Sequence, residues 1–470
     1  MAGRDLAFTP AWQLAKLFRR KKLSPVEFTR AVLDRIERFN PKLNAFLAVA
    51  ADAAMAQAKV AEIRFSSGTE LPSLLGLPIS IKDLTHTKGI VSTGGSLAYK
   101  DFVPDEDAIA VERLRRAGAI IIGKTNTPEF GNSATTENRL GDDCRNPWDT
   151  ARTSGGSSGG AASSVAAGIC PLAMGTDGGG SIRIPSSLCG VFGIKPTFGT
   201  IPGGRSFSGM PIFSAGGPIT RSIRDAAMLL DATAGHDSRD PRSRREPPPN
   251  FLRALSKGVK GLRVAWSFDL NYAVADPEVL ALTSDAAHVF DHLGCVVEDD
   301  NPDLGEPFGA FGPVVVADSY VAFGHLLETK ADLLTDNFRK SLERGKLITG
   351  AQYSQALRTI DVIKSKMADF FERYDLLLCP ATAVPAFPCG QRPSVIGGQS
   401  VSTLWGPFPF TVPFNITGQP AASVPCGFTH NGLPVGLQIV GRIGQDDLVM
   451  RAAAAFEEAR PWAGRTPALD

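Results

Sequence analysis

The chain has 470 residues, enough for one large or two ordinary domains, with 43% apolar and 21% charged residues, a globular rather than a disordered composition. Its formal net charge of +1 leaves no electrostatic footprint for nucleic acid or an anionic membrane. Seven scattered cysteines with no Cys-x-x-Cys pair argue against a disulfide framework or a zinc site and for a reducing compartment.

Residues Met1–Asp5 hold no apolar core of a secretion signal, and no apolar run approaches membrane-spanning length. A cytoplasmic protein is the expectation. A first helix is predicted from about Pro10 to Arg20. A second starts at Ser24, with Pro25 in its first turn and Glu27 completing a capping box, and should stop at Asn40-Pro41. A short strand, Ala45 to Val49, and an Ala-rich helix to about Arg64 follow. Leu77-Pro78-Ile79-Ser80-Ile81 reads as a buried strand ending in Lys82-Asp83. A lysine there either snorkels to the surface or sits where burial keeps it partly neutral. Asp105 to Ala117 is amphipathic, and Ala119 to Gly123 reads as the parallel strand behind it.

The stretch from Arg152 to Pro196 carries the strongest signal. Ser157 and Ser181 are each wrapped in glycines, with Gly156, Gly159 and Gly160 around the first and Gly178, Gly179 and Gly180 before the second. Between them lie a small-residue helix, Ala161 to Gly168, and an apolar run, Ile169 to Met174, of buried-strand length. A flexible linker would contain neither, and the glycine spacing fits no phosphate cradle. Glycine is what the backbone requires where several N–H groups must converge on one point. Beyond this, Thr200 to Thr220 is Gly-, Pro- and Phe-rich and reads as a cleft cover. Ser222 to Ala234 is helical, and Asp237 to Pro249 is a boundary or crossing loop. Strands are predicted at Leu262–Trp266, Cys295–Glu298, Leu376–Cys379, Ala421–Val424 and Val435–Val440. Helices are predicted at Pro277–Leu293, in the interval Pro313–Tyr374 and at Asp446–Ala459. The aromatic, Pro-rich segment Trp405 to Pro413 is a loop that could line a pocket. The alternation of elements predicts an α/β fold, a large mixed sheet with helices on both faces.

A serine nucleophile needs a base. None of the six histidines lies in the glycine-rich core, and His86 alone is close in sequence to a strand of interest. Gly155-Gly156-Ser157-Ser158-Gly159 fits Gly-x-Ser-x-Gly literally, but polar loop rather than apolar strand precedes it. A buried lysine fits better. Lys82 leads, with Lys124 and Lys195 as competitors.

The motifs Gly-Leu-Pro-Ile-Ser-Ile-Lys82-Asp, Gly-Lys-Thr-Asn126-Thr-Pro-Glu129-Phe, Gly155-Gly-Ser157-Ser-Gly-Gly and Gly175-Thr-Asp177-Gly-Gly-Gly-Ser181-Ile-Arg183-Ile-Pro185 together resemble the amidase signature family. The likeness is dense from Leu75 to Asp225 and returns in Phe414–Ala421 and Leu433–Val440, while about 237–403 is a less recognisable helical or cover region of what we expect to be one domain. The resemblance implies a Ser–Ser–Lys triad. Ser181 would be the acylated nucleophile, Ser157, after a cis peptide, the proton relay, and Lys82 the terminal base. The N–H groups of Gly178, Gly179, Gly180 and Ser181 would form an oxyanion hole. Thr176, Asp177 and Arg183 would be supporting residues, with Asp177 and Arg183 shaping the nucleophile loop and Ser158 a packing neighbour. No metal or organic cofactor is implied. The partner would be a small-molecule amide or carbamate, with no nucleic acid and no membrane, and a homodimer is compatible with this. Phe213-Ser214-Ala215-Gly216-Gly217-Pro218 lacks the acidic residue usual at this point in the family's tRNA amidotransferase subunits. The apolar segments Phe207–Phe213 and Trp405–Phe410 point to an aryl or apolar acylamide.

Overall fold

The computed structural model describes residues 6–67 and 70–469; the expectation at residues 1–5 lies outside them. Its centre is an eleven-stranded mixed sheet. In chain order the strands are β1 (Phe46–Val49), β2 (Pro78–Lys82), β3 (Ile120–Thr125), β4 (Leu172–Asp177), β5 (Phe192–Lys195), β6 (Ala215–Thr220), β7 (Arg263–Trp266), β8 (Val296–Asp299), β9 (Leu376–Pro380), β10 (Ala421–Phe428) and β11 (Pro434–Gly441). Across the sheet they run β1-β3-β2-β4-β6-β5-β10-β11-β9-β7-β8. β3, β2 and β4 are mutually parallel, the middle is antiparallel, and β9, β7 and β8 are parallel again. The less recognisable segment 237–403 therefore supplies three strands of this sheet, β7, β8 and β9, besides helices.

Both faces of the sheet are covered, as the near-continuous apolar strands demand. In β9, Leu376 and Leu378 enter one core cluster, while Leu377 and Cys379 enter the cluster on the other face. β7 divides in the same way, Val264 and Trp266 against Ala265. In β2, Ile79 and Ile81 join the first cluster. The strand's period of two then turns Ser80 and Lys82 toward the opposite face, where the helix Gly159–Ala166 packs. That helix approaches closely because Gly160 is a glycine: a Cβ there would lie 2.3 Å from the Ala45 carbonyl oxygen.

Several boundaries differ from the sequence expectation, each for a local reason. The second helix runs Pro25–Leu43, through Pro41. Its last turn tolerates the missing N–H, and Asn44, at φ 47°, closes it in the left-handed conformation. The run Ile169–Met174 begins pairing only after Pro171 and continues through Asp177. The last six residues of the supposed cleft cover, Ala215–Thr220, are instead β6, in the middle of the sheet. Gly217 permits close backbone approach, since a Cβ there would lie 2.1 Å from the Ile194 carbonyl oxygen. Asp149–Thr153, expected as loop, pairs with Arg145–Asn146 in a small two-stranded sheet. The predicted helix Pro277–Leu293 divides into Pro277–Ala287 and Val289–His292.

Candidate active site

β2 and β4 are adjacent and parallel, so their carboxyl ends open on the same side of the sheet, where α/β proteins place their sites. Lys82 is the last residue of β2 and is fully buried. Its Nζ donates to Ser157 Oγ at 2.7 Å and to the Thr176 carbonyl at 3.2 Å. Burial lowers the Lys82 ammonium to about 7 against the opposing attraction of Asp177. Ser157 lies just before the helix Gly159–Ala166, and the Gly156–Ser157 peptide bond is cis. Ser158 ties the two loops together. Its N–H donates to the Ser181 carbonyl at 3.0 Å and its hydroxyl to the Thr176 carbonyl at 3.1 Å. Thr176 thus enters the site through its carbonyl, which receives both Lys82 and Ser158.

Ser181 sits in the turn between β4 and the helix Arg183–Cys189. The turn is held from inside by Asp177 and Arg183, a fully buried pair. Arg183 Nη2 and Nε donate to the two Asp177 oxygens at 2.9 and 3.0 Å. Arg183 also reaches the Thr411 carbonyl, Gln438 Oε1 and Asn415 Oδ1. Asn415 returns an N–H to Asp177. Burial alone would raise the Asp177 carboxyl; the Arg183 charge and these hydrogen bonds outweigh it and hold the group well below the usual carboxylate range.

One expected donor is committed elsewhere. The Gly180 N–H donates to Asp177 Oδ1 at 2.7 Å, which removes it from the set facing a substrate. Gly180 also lies at φ 123°, and a Cβ there would meet Thr411 Oγ1 at 2.2 Å. It shapes the turn. Among the described residues, the N–H groups of Gly178, Gly179 and Ser181 have no protein acceptor.

The competing bases are elsewhere. Lys124, lowered by burial to about 8, donates to the Thr85 carbonyl and to Thr87 Oγ1. Lys195, lowered by burial to about 7, donates to the Pro196 carbonyl. His86 packs between Phe102 and Phe207, with its Nε2 unpaired, and burial lowers it to about 4. No group of three or more His, Cys, Asp or Glu side chains is placed to hold a metal ion among the described residues. Asn415 and Gln438 escaped sequence reasoning as site residues. The available signal was a single polar residue, Gln438, inside the fully buried β11.

Ser181 opens onto a cavity of about 180 Å³ with Gly179, Ile184, Met210, Phe311 and Trp405 in its walls. Of the expected aromatic covers, Phe408 and Phe410 are instead fully buried core, and Phe207 belongs to a ring cluster with His86, Tyr99, Phe102 and Phe130. Trp405 stacks on Phe308 with ring centroids 5.1 Å apart and meets Phe311 edge-on at 5.7 Å.

The fold thus brings a serine preceded by three glycines next to the loop that holds a buried lysine–serine pair, at the carboxyl ends of parallel strands. Residues 27–450 match the Amidase family. The chain is 38% identical to an acylamidase of Rhodococcus erythropolis, over 100% of this chain and 99% of that one. It is 36% identical to a glutamyl-tRNA(Gln) amidotransferase subunit from Thermosynechococcus vestitus, over 96% of this chain and 98% of that one. The crystal structure of a bacterial aryl acylamidase of the amidase signature enzymes superposes with a TM-score of 0.92 at 32% identity, covering 97% of each chain. The chain belongs to the amidase signature family. It is an amidohydrolase acting on carbon–nitrogen bonds. No helix among the described residues is long and apolar enough to cross a membrane.

Proposed function

We propose that the protein is a free-standing acylamidase working through a serine acyl-enzyme, with Ser181 as nucleophile, Ser157 as relay and Lys82 as base. The observation that carries this reading is the 2.7 Å bond between Ser157 and a fully buried lysine whose ammonium burial has lowered to about 7. A lysine so placed is substantially neutral at pH 7 to 8 and can take a proton. Ser181 Oγ attacks the amide carbonyl carbon; its proton passes to Ser157 Oγ, whose own proton passes to Lys82 Nζ. The carbonyl oxygen becomes an oxyanion facing the N–H groups of Gly178, Gly179 and Ser181. Such preorganised donors are worth about 3 kcal/mol each in comparable sites. The relay then runs backward, protonating the leaving nitrogen as the carbon–nitrogen bond breaks. Water hydrolyses the ester by the same route. Asp177, Arg183 and Gly180 hold the turn and take no part in proton transfer.

The apolar and aromatic walls support a small or aryl acylamide, and the acylamidase and aryl acylamidase relatives favour the same class. An aryl carbamate presents the same carbonyl to the same attack and is the expected second substrate. The amidotransferase relatives support an alternative, a glutamine-using component working with partner chains. The cavity weighs against it: a free amino acid's ammonium needs a carboxylate acceptor, and no Asp or Glu lines the cavity among the described residues.

The test is hydrolysis by the purified chain of an aryl acylamide such as a nitroanilide, a primary aliphatic amide, glutamine and an aryl carbamate, with Ser181→Ala alongside. Cleavage of the anilide or carbamate, lost in Ser181→Ala, is expected. Turnover of glutamine alone, or of nothing until partners are added, would replace this reading with the alternative. For the cleaved substrate, kcat/KM should rise with pH through an inflection near 7 as Lys82 loses its proton. A flat profile from about pH 6 to 9 with chemistry rate-limiting would remove Lys82 as the base.

A further inference from the structure

The cavity at Ser181 has a second wall of opposite character. The helix Asp336–Lys346 presents Asn337, Lys340, Ser341 and Arg344 to it. The spacing of three, four and seven residues from Asn337 puts these four on one face. The other face, with Phe338, Leu342 and Gly345, is buried. Gly345 lets this helix press against the helix Phe308–Phe323, since a Cβ there would lie 2.0 Å from the Val316 carbonyl oxygen. The polar face is thereby brought beside Phe311, Val315 and Val316 in the same cavity. The start of the helix is anchored to the signature region: the Glu129 carboxylate accepts the Thr335 N–H at 2.8 Å and hydroxyl at 2.6 Å.

Lys340 and Arg344 are the only charged residues lining this cavity among the described residues, and neither has a carboxylate within ion-pair distance there. Their neighbours on the helix are already used, with Arg339 between Asp336 and Glu343. Like charges four residues apart on a helix repel, so the pair does not serve helix stability. Arg344, in the last turn, gains from the helix dipole; Lys340, a turn earlier, does not. The carboxylates of the adjoining hollow are engaged by other groups. Glu129 is held by Ser96 and Thr335, and Glu137 by Thr135 and Arg392.

We infer that the natural substrate is an amide carrying an anionic group, a carboxylate, on the portion that occupies this cavity, with an apolar segment between it and the scissile bond and with Lys340 and Arg344 as its recognition pair. The apolar wall takes the segment and the two cations take the charge. A zwitterionic amino acid would place an ammonium beside them and is disfavoured. This inference rests on the acyl-enzyme reading above.

The test uses two matched pairs of substrates. In one, the acyl chain is varied, pentanoyl against glutaryl 4-nitroanilide; in the other, the amine is varied, acetanilide against 4-acetamidobenzoate. At low ionic strength, the carboxylated member of one pair should have a KM lower by about tenfold, as expected for two partly exposed ion pairs. Added salt should shrink that preference. The double variant Lys340→Ala/Arg344→Ala should abolish the ratio between carboxylated and neutral members, and Arg344→Lys should keep most of it. Hydrolysis of neutral members with no carboxylate preference in either pair, or a preference that survives the double variant, overturns the inference and leaves the amidase reading standing. Failure of the wild-type chain to cleave any of the four overturns both.

Discussion

The turn that carries Ser181, the proposed nucleophile, and the cavity wall facing it are built on opposite physical terms. Around Ser181 the turn is held by a dry polar lattice. Asp177 accepts from Arg183, Asn415 and the Gly180 and Ile182 N–H groups, and Arg183 reaches Gln438 in β11 and the Thr411 carbonyl. Every member is buried and each depends on the others. Across the cavity, Met210, Phe311 and Trp405 meet the substrate space through ring and thioether packing, with little directional bonding. A polar lattice fixes positions to the tolerance that acyl transfer needs, and it fails when one partner is removed. An apolar wall can be re-cut residue by residue. On the proposed function, one enzyme combines an inflexible reaction centre with an adjustable substrate side.

The hardest break in this comparison is Ser181→Ala. It removes the proposed nucleophile and leaves the Asp177–Arg183 lattice untouched. Activity toward the anilide should fall by about 10⁴-fold or more, with an unfolding transition within about 0.5 kcal/mol of wild type. Acyl-enzyme trapping by mass spectrometry, followed in both proteins, checks that the loss is chemical.

Arg183→Met attacks the lattice instead. It leaves Asp177 buried and uncompensated, which typically costs about 3–5 kcal/mol. Denaturant unfolding should show that loss, and activity should fall with it because Gly180 and Ser181 lose their template. A variant that keeps its stability but loses turnover would assign Arg183 to the chemistry and would erase the distinction drawn here.

Lys82→Met separates stability from function at one residue. The unfolded lysine holds its proton to about 10.5, the folded one releases it near 7. Between those values the unfolded chain binds more protons, so the Lys82 contribution to stability rises with pH across that window, and its burial penalty is fully present below 7. Methionine, of similar shape, carries no such penalty. The variant should be inactive and more stable than wild type by about 1–4 kcal/mol at pH 6, with the gain shrinking toward pH 10. Thermal melts of both proteins at the two pH values measure the difference.

The two regions were unequally legible in the sequence. The proposed reaction centre is visible in the sequence because its constraints are local: three glycines before Ser181, two after Ser158, and a lysine ending an apolar strand. In the antiparallel middle of the sheet, β10 and β11 were legible as strands, whereas β6 was hidden for the same reason that made the glycines visible. In β6, Gly217 serves close strand packing, yet the Gly216-Gly217 pair reads as loop. Adjacency in sequence also cannot tell a free N–H from one that, like that of Gly180, is bonded to Asp177. Of the lattice partners, Asn415 lies 238 residues from Asp177 and Gln438 lies 255 from Arg183, and they reach the pair only through the order of β4, β6, β5, β10 and β11. The cavity wall was the least readable. Phe207, Phe408, Phe410 and Trp405 look alike in a sequence, and only packing sends three of them into the core and one to the cavity at Ser181.

The smallest expected effect tests that last assignment. Trp405 is half-buried, stacked on Phe308 and edge-on to Phe311, with one side toward the cavity. If it is a substrate wall, Trp405→Ala should raise KM for the nitroanilide about tenfold, the usual worth of an apolar pocket contact. An aliphatic primary amide, too small to use the ring, should be far less affected, and the unfolding free energy should drop by about 1 kcal/mol or less. If Trp405 is core, the pattern reverses: truncation costs about 3–5 kcal/mol of stability, and any change in KM is the same for both substrates. The two outcomes differ in which measurement moves, so a substrate pair and one denaturation curve decide between them.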